Sequence, residues 1–378
     1  MNKRQRLEAA LNYKKIDRIP WTIYASYPPW GEVERRYRDL GLIMIYQHFP
    51  IVKVSLPEID VTEEGKYLVK DHKGKNTILR KFETPVGNVS VKHEFFADSL
   101  PVPGDLIQKF GSEIDMESLS WVTEHPFKDE SDYEVLEYIY ENTEFRPNYE
   151  DFIFTDKIVG DDGFIMANVG KSPFQILLYE LMGAEKCYLE LASNPDKVRS
   201  LFEVVYEHQK RKYILAAKSP ATVIWVPDNL TSMLTPPDYF EEFYIPFYNE
   251  MADILHKENK IYTVHMDGNL SSLADLIGKT GIDVIEAFTP PPMGDYRVSD
   301  ALKTWKNKII WINFPGTVLA TYDADSIEAY TIDMLKSIAP GNRFLIGCTE
   351  SFPMEKWEMA FGAIGKALEK CGKYPISY

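Results

Sequence analysis

The sequence of 378 residues lacks long apolar runs and is poor in cysteine. No stretch approaches the ~20 apolar residues that a membrane-spanning helix needs, and the N-terminal segment lacks the apolar centre of a signal peptide. The three cysteines, Cys187, Cys348 and Cys371, cannot form a paired disulfide framework. We therefore predict a cytoplasmic protein that is neither secreted nor inserted in a membrane.

Basic residues are also scarce relative to acidic ones. The chain has 42 Lys and Arg against 57 Asp and Glu, a net charge of −15 and a pI near 5.0. This charge repels the phosphates of nucleic acids and of anionic membranes. The hydrophobic content of 45% and the charged content of 26% are ordinary for a soluble globular protein. We therefore expect a small-molecule substrate or a protein partner.

Short apolar runs alternate with segments of helical periodicity along most of the chain. Runs this short, rich in β-branched residues, are typical of parallel strands buried on both faces. The predicted strands are 18–24, 51–56, 164–169, 222–226, 261–264, 282–285, 308–312 and 343–347. Eight such strands with helical connections predict a (β/α)8 barrel, with roughly 100 residues beyond the usual ~250.

One stretch departs from this pattern. Residues 65–96 alternate in polarity, with turn signals at 72–75 and 85–88, which predicts an antiparallel β-meander. We therefore predict a single barrel domain over residues 1–378, with an insertion at about 61–155. A homodimer is compatible with this architecture.

Polar side chains follow the predicted strands, and the carboxyl ends of parallel strands are where ligands bind. These side chains are Tyr24, Glu58, Asp60, Asn168, Lys171, Asp228, Asn229, His265, Asp267, Glu286, Asn313, Cys348 and Glu350. An imidazole, a thiol and several carboxylates on one rim are the ligand types of a zinc site. Asn313, on the same rim, is a candidate to bind the substrate.

Most of the candidate metal ligands also have a structural interpretation. A lone histidine such as His265 is often simply hydrogen-bonded, and Cys348 could be a small buried apolar residue. Asp267 could cap the helix that follows it. Glu286 is harder to explain structurally, because a carboxylate that ends a buried strand costs several kcal/mol unless it is paired or binds a cation.

Two further groups flank this rim. Tyr24, Tyr27 and Trp30 form an aromatic, proline-rich loop that we expect to line the substrate pocket, although a packed lid is an equally good interpretation. Asp228 follows a proline that cannot donate a backbone hydrogen bond, which holds it towards the rim. We expect Asp228 to fix the tautomer of His265 or to orient the substrate, and Asn229 to hydrogen-bond the substrate. A turn or capping role for Asp228 is the alternative.

Several motifs carry a resemblance to a known family. They are Leu7-Glu8-Ala9-Ala10-Leu11, Asp17-Arg18-Ile19-Pro20, Asp228-Asn229 with Ser232-Met233 and Pro237, His265-Met266-Asp267-Gly268, and Gly281-Ile282-Asp283. Over nearly the whole chain the sequence resembles the uroporphyrinogen decarboxylase superfamily. The resemblance implies a (β/α)8 barrel. It also implies one of two activities, porphyrinogen decarboxylation or zinc-dependent methyl transfer with a corrinoid protein.

The loop after the first strand separates the two branches. The decarboxylases have an Arg-Gln-Ala-Gly-Arg-Tyr stretch there, whose arginines hold the substrate propionates. This chain has Tyr24-Ala25-Ser26-Tyr27-Pro28-Pro29-Trp30, with no cation before Arg35. Each missing charge-assisted bond costs about 1.5 to 3 kcal/mol. The loop therefore disfavours decarboxylation of a porphyrinogen.

The methyltransferases carry a His-x-Cys pair and a distant second cysteine. His265 matches the histidine and Cys348 the distant cysteine, whereas Asp267 stands where the middle cysteine is expected. The resemblance therefore implies zinc held by His265 and Cys348, and we expect a carboxylate ligand from Glu286 first and from Asp267 second. A carboxylate makes the site harder, which suits an ether or alcohol oxygen better than a thiol.

We therefore expect a zinc-dependent methyltransferase that moves a methyl group between a small O-methyl compound and a corrinoid. The chain has no Asp-x-His-x-x-Gly corrinoid-binding motif, so the corrinoid would be carried by a separate protein. One alternative is a metal-free decarboxylase or lyase that uses Asp228 or Glu286 as its acid or base. Another is a binding protein that kept the barrel and lost the chemistry.

Overall fold

The computed structural model describes residues 1–29, 31–66, 75–96, 120–350 and 352–377. The chain divides into two compact units. The barrel unit comprises Met1–Phe49, Tyr149–Asn168 and Ala217–Tyr378, and the insertion unit comprises Pro50–Asn148 and Val169–Ala216. No helix among the described residues is long and apolar enough to cross a membrane.

Strands and helices are numbered in chain order. The described strands are β1 (Trp21–Tyr24), β2 (Leu42–Pro50), β3 (Val52–Ser55), β4 (Asp60–Lys66), β5 (Lys75–Thr84), β6 (Gly87–Phe96), β7 (Ser120–Glu124), β8 (Glu144–Pro147), β9 (Gly163–Asn168), β10 (Val223–Val226), β11 (Ile261–His265), β12 (Val284–Phe288), β13 (Ile309–Asn313) and β14 (Phe344–Gly347). The described helices are α1 (Lys3–Leu11), α2 (Glu32–Asp39), α3 (Asp132–Glu141), α4 (Tyr149–Val159), α5 (Pro173–Gln175), α6 (Ala184–Ser193), α7 (Pro195–Ala217), α8 (Pro237–Tyr239), α9 (Ile245–Lys257), α10 (Ala274–Gly278), α11 (Val298–Thr304), α12 (Gly316–Thr321), α13 (Ala324–Ser337) and α14 (Trp357–Cys371). Two π-helical segments, Ile176–Leu181 and Phe240–Tyr244, continue α5 and α8.

The barrel unit is a closed barrel of eight strands in the order β1-β14-β13-β12-β11-β10-β9-β2, with β2 pairing back onto β1. The strand pairs around β1 and from β9 to β14 are parallel. Every residue of β1, β9 and β10 to β14 is buried, as expected for strands covered on both faces. The predicted (β/α)8 barrel is confirmed.

The second barrel strand is β2 and not the predicted run 51–56, which was wrong. Within that run, Val52–Ser55 forms β3, which pairs antiparallel with β8 in the insertion unit. Apolar Leu42 to Ile45 is fully buried, but Gln47 and His48 interrupt the apolar pattern of β2 and hide it in the sequence. Glu58 and Asp60 consequently belong to the insertion unit and do not follow a barrel strand.

The insertion unit contains the predicted meander. Strands β4, β5, β6 and β7 pair in chain order as an antiparallel sheet, with a turn at residues 85–86 between β5 and β6. The other predicted turn, at 72–75, lies outside the described residues except for Lys75. Helix α3 ends at Glu141, and the short strand β8 follows it.

The barrel interior is filled by residues at alternate strand positions, whose side chains point inward. The buried cluster consists of Leu7, Leu11, Tyr24, Ile43, Ile45, Phe164, Met166, Val223, Trp225, Ile261, Val284, Ile309, Trp311 and Leu345. Leu7 and Leu11 place α1 against the interior of the barrel. The same alternation makes Glu286, two residues after Val284, an inward-facing side chain.

Candidate active site

Glu286 lies inside β12 and not after its end. It is fully buried, and the next residue, Ala287, has a φ of +57°, which L-residues rarely adopt. The register between β12 and β13 shifts between Glu286 and Phe288, as at a β-bulge. Bulges of this kind redirect a side chain, and their strain persists only where the surroundings impose it. The bulge thus sets the direction of the Glu286 carboxylate.

Three buried groups bond the two oxygens of Glu286. The Tyr24 hydroxyl donates to Oε1 at 2.7 Å, and the Trp225 indole N–H donates to Oε2 at 2.9 Å. His265 Nδ1 lies 2.8 Å from the same Oε2. Bonds to an ionised carboxylate are stronger than neutral ones. We call Tyr24, Trp225, His265 and Glu286 the Glu286 network.

The network fixes the orientation of the His265 ring. The Tyr24 hydroxyl proton points at Glu286, so Nδ1, which is 3.2 Å from the Tyr24 oxygen, is the nitrogen that carries a proton and donates. The other nitrogen, Nε2, lies 3.7 Å from Oδ2 of Asp267, a half-exposed residue. Histidine ligands of metals commonly have this arrangement: one ring nitrogen donates to a carboxylate, which orients the ring, and the other nitrogen binds the metal.

Burial and the neighbouring carboxylates act in opposite directions on the pKa of His265. Burial alone lowers the pKa of His265, but the charge of Glu286 and the bonds to Asp267 and Glu286 raise it to about 10. Burial, followed by the charge of Glu286, raises the pKa of Tyr24 well above its ordinary value. Without a metal, His265 is therefore an imidazolium paired with Glu286, and a cation must displace the proton from Nε2.

Cys348 follows β14 and is buried. Its backbone carbonyl accepts a hydrogen bond from the Tyr24 N–H at 3.1 Å, which places it beside the end of β1. The thiol donates to the Glu350 carbonyl at 3.5 Å. Burial, followed by the charge of Glu350, raises the pKa of the thiol. Cys348 is therefore a protonated thiol in the metal-free protein.

Asn313 is the last residue of β13 and orients Glu350. Its Nδ2 donates to Glu350 Oε1 at 2.9 Å and to Thr289 Oγ1 at 3.3 Å, while its Oδ1 accepts from Thr349 N at 3.0 Å. Gly316 N donates to the same Glu350 oxygen at 3.2 Å. The amide of Asn313 is thus engaged by the protein itself. Its contact with the substrate stays a prediction.

Tyr27 lies in the aromatic loop and stacks on Tyr24, with ring centroids 5.9 Å apart. It is half-buried, and its hydroxyl donates to the Thr349 carbonyl at 3.3 Å. Burial, followed by the proximity of Cys348 and Glu350, raises the pKa of Tyr27. One face of the loop therefore lies against the Glu286 network. Trp30 lies outside the described residues.

Asp228 and Asn229 follow β10. Asp228 is fully buried and accepts a hydrogen bond from the Tyr248 hydroxyl of α9 at 2.5 Å. The bond that holds Nδ1 of His265, expected from Asp228, comes from Glu286, because Glu286 is opposite His265 in the β11–β12 register. Asn229 is half-buried with a φ of +48°, a left-handed conformation that asparagine tolerates. Its bond to the substrate stays a prediction.

The donors near His265 meet part of what a zinc ion needs. Two ligands on a tetrahedral zinc ion lie roughly 3.4 Å apart, given Zn–N and Zn–O bonds of ~2.1 Å. The 3.7 Å between His265 Nε2 and Asp267 Oδ2 is close to that spacing. In the part of the chain that the structure describes, no group of three or more His, Cys, Asp and Glu side chains is arranged to hold a metal ion. The donor types fit zinc, and a third donor must approach for it to bind.

Trp225 is a site residue that the sequence motifs do not indicate. It lies within β10, three residues before Asp228, and a tryptophan inside an apolar run is usually assigned to the core. Its inward direction could be read from Val223, two residues earlier, because side chains alternate along a strand. Its bond to Glu286, 61 positions away, has no local signal.

Comparisons with known proteins place this chain in a family. Residues 95–353 match the model of the family described as uroporphyrinogen decarboxylase (URO-D). A solved methyltransferase from Methanosarcina mazei shares the fold, with a TM-score of 0.56 and 12% identity over 97% of this chain and 99% of that one. Dispersin B, with a TM-score of 0.26 and 10% identity over 58% of this chain and 75% of its own, is too dissimilar to support any conclusion. No curated protein sequence matches significantly. As its motifs predict, the chain belongs to the uroporphyrinogen decarboxylase family.

Proposed function

We propose that this protein is a zinc-dependent methyltransferase that moves a methyl group between a small O-methyl compound and a corrinoid carried by a separate protein. The proposal rests on the imidazole of His265, whose Nδ1 bonds the Glu286 carboxylate and whose Nε2 lies beside the Asp267 carboxylate. Membership of the family and the fold shared with a methyltransferase support it.

His265, Asp267 and Cys348 would hold the zinc ion. Both oxygens of Glu286 already accept hydrogen bonds, so Glu286 acts on the metal through His265 and not as a ligand. When bound, zinc supplies a Lewis acid for the substrate oxygen. A carboxylate among the ligands makes the site harder than one with two thiolates, which suits oxygen.

The rest of the rim favours a neutral substrate. Asp267 and Glu350, which follow β11 and β14, are acidic, whereas Lys171, which follows β9, belongs to the insertion unit and lies over the Tyr179 ring. A substrate carboxylate would be repelled there. The half-buried ring of Tyr27 offers a flat apolar surface for a methyl ether. Without a corrinoid-binding motif in the chain, the methyl acceptor must come from outside, to the carboxyl ends of the strands.

Metal content depends on the proposed ligands His265 and Cys348. After loading with zinc and removal of the excess, the wild-type protein is expected to retain about one ion per chain, as a catalytic zinc site does. The variants His265→Ala and Cys348→Ala are each expected to lose most of it, since each removes a ligand. Cys371→Ala, in the last turn of α14, is the matched control and should retain the ion. Elemental analysis and circular dichroism on the same samples measure metal and folding.

Activity separates the alternatives. Zinc-loaded protein is incubated with a neutral methyl ether such as 2-methoxyphenol and with cob(I)alamin in place of the partner protein, and the demethylated product is measured. Product that depends on zinc and on His265 supports the proposal. Turnover of a substrate by metal-free protein would point to the decarboxylase or lyase, and folded protein without zinc or turnover would point to the binding barrel.

A further inference from the structure

The indole of Trp225 contacts the Glu286 carboxylate at a point that also governs His265. The indole N–H donates to Oε2 of Glu286 at 2.9 Å, and the same oxygen bonds Nδ1 of His265 at 2.8 Å. The terminal torsion of a glutamate side chain has broad minima, so the chain alone does not fix where its oxygens lie. Two donors on one oxygen fix its position relative to the imidazole.

Ring contacts reinforce the same geometry. The indole of Trp225 meets the His265 ring edge-on, with centroids 5.8 Å apart and an interplanar angle of 90°. It also meets Tyr24 edge-on at 6.4 Å and 87°. Edge-to-face pairs are the preferred arrangement of aromatic rings at these distances. Trp225 therefore touches the three other members of the Glu286 network, and it is itself almost completely buried.

Tyr24 completes the support from the other side. Its hydroxyl donates to Oε1 of Glu286 at 2.7 Å, so each carboxylate oxygen has a donor from a strand other than β11 and β12. Tyr24 comes from β1 and Trp225 from β10, and the carboxylate is thus held between two parts of the barrel wall. Because Nδ1 of His265 bonds this carboxylate, the position of the carboxylate also fixes the imidazole ring, and Nε2 is directed towards Asp267.

We propose that Trp225 is a positioning residue for metal binding, which holds Glu286 by its indole N–H so that Nε2 of His265 stays directed at the metal position. Tyr24 assists it through the second oxygen. The inference rests on the proposed function, because it needs a metal at His265. Trp225, which has no metal-binding group of its own, would thereby set the zinc affinity of the site.

The test compares two buried tryptophans. Trp225→Phe keeps an aromatic ring and removes the N–H that reaches Glu286. The control Trp311→Phe makes the same change on β13, where the fully buried indole donates to Thr22 Oγ1 at 2.9 Å and not to the network. Competition with a chromophoric chelator gives the zinc affinity of each purified protein, with no corrinoid and no substrate present.

We expect Trp225→Phe to lower zinc affinity by about 10- to 100-fold, the range for groups that orient metal ligands, and Trp311→Phe to change it by less than about 2-fold. With Co²⁺ in place of zinc, the visible absorption bands should change in Trp225→Phe and persist in Trp311→Phe, because they report the ligand geometry. A purely structural tryptophan would affect stability in both variants and the bands in neither.

The measurements distinguish a failure of the Trp225 positioning role from a failure of zinc binding itself. Zinc binding by the wild type, with equal affinity in Trp225→Phe, overturns the positioning role alone. Failure of the wild type to bind zinc overturns the proposed function and this inference with it. If Trp225→Phe does not fold, Tyr24→Phe replaces it, because it removes only the hydroxyl on Oε1 of Glu286. Unchanged zinc affinity and unchanged Co²⁺ bands in that variant would equally overturn the role of the network.

Discussion

Replacing Glu286 by alanine is expected to lower the free energy of unfolding of the metal-free protein by about 3 to 5 kcal/mol, as for other buried ion pairs that lose one partner. The carboxylate is fully buried and accepts bonds from Tyr24, Trp225 and His265. Its removal takes away the charge that keeps His265 protonated against the effect of burial, and it leaves the buried Tyr24 hydroxyl and the Trp225 N–H without an acceptor. Each unsatisfied donor costs about 1 to 3 kcal/mol.

This loss should depend on pH in a defined direction. His265 has a folded pKa of about 10 against 6.5 for the unfolded chain, so its pairing with Glu286 stabilises the protein fully below pH 6.5 and ceases to do so as pH rises through 10. The difference between the wild type and Glu286→Ala is therefore expected to be largest at pH 6 and to shrink between pH 6.5 and 10.

Urea unfolding followed by tryptophan fluorescence at several pH values measures this effect. Glu350→Ala is the matched control, because Glu350 is only partly buried and its carboxylate does not bond His265. We expect a smaller loss there, of about 1 to 3 kcal/mol, because the Asn313 amide and the Gly316 N–H lose one acceptor, and no change in that loss between pH 6.5 and 10. Equal effects of the two substitutions, or a difference that does not vary with pH, would show that Glu286 is not the counter-ion of His265.

The sequence predicted the barrel because the signals for its strands are local. Each of the last strands, such as Ile261–His265 and Ile309–Asn313, is a short apolar run bounded by helix signals, and both lie within two residues of their predicted positions. β2 was misplaced because polar Gln47 and His48 lie within it, and the better apolar run, 51–56, pairs with β8 instead. Pairing partners distant in sequence decided that choice.

The site could be predicted only in part for the same reason. The end of β12 was placed before Glu286, because a carboxylate rarely continues a buried strand. The strand in fact continues, since donors from three other strands satisfy the carboxylate: Tyr24, Trp225 and His265. Residue types and strand ends can be read along the chain. The hydrogen bonds that make Glu286 tolerable join positions up to 262 residues apart and need the closed barrel.

Gly268 closes the His265-Met266-Asp267-Gly268 motif, and Gly268→Ala is expected to disrupt both stability and metal binding. Its N–H donates to the Leu230 carbonyl at 3.1 Å, which joins the loops after β10 and β11. A Cβ added at Gly268 would lie 2.2 Å from Cβ and 2.7 Å from Cα of Thr231. Because part of this clash is with backbone, a rotamer change cannot relieve it, and the two loops must separate.

Separation of these loops moves Asp267, the residue before Gly268, relative to Nε2 of His265. We therefore expect Gly268→Ala to lower the free energy of unfolding by about 1 to 3 kcal/mol, as overpacking does, and zinc affinity by at least about 10-fold.

The control is Gly278→Ala, where the nearest atom, Cδ1 of Trp305, is 3.6 Å from the new Cβ. Alanine at Gly278, the last residue of α10, should leave both stability and zinc affinity nearly unchanged. Thermal unfolding and chelator competition on both variants measure the two quantities. Zinc affinity equal to that of the wild type in a destabilised Gly268→Ala protein would mean that Asp267 is not a ligand, since its loop would then have moved without consequence for the metal.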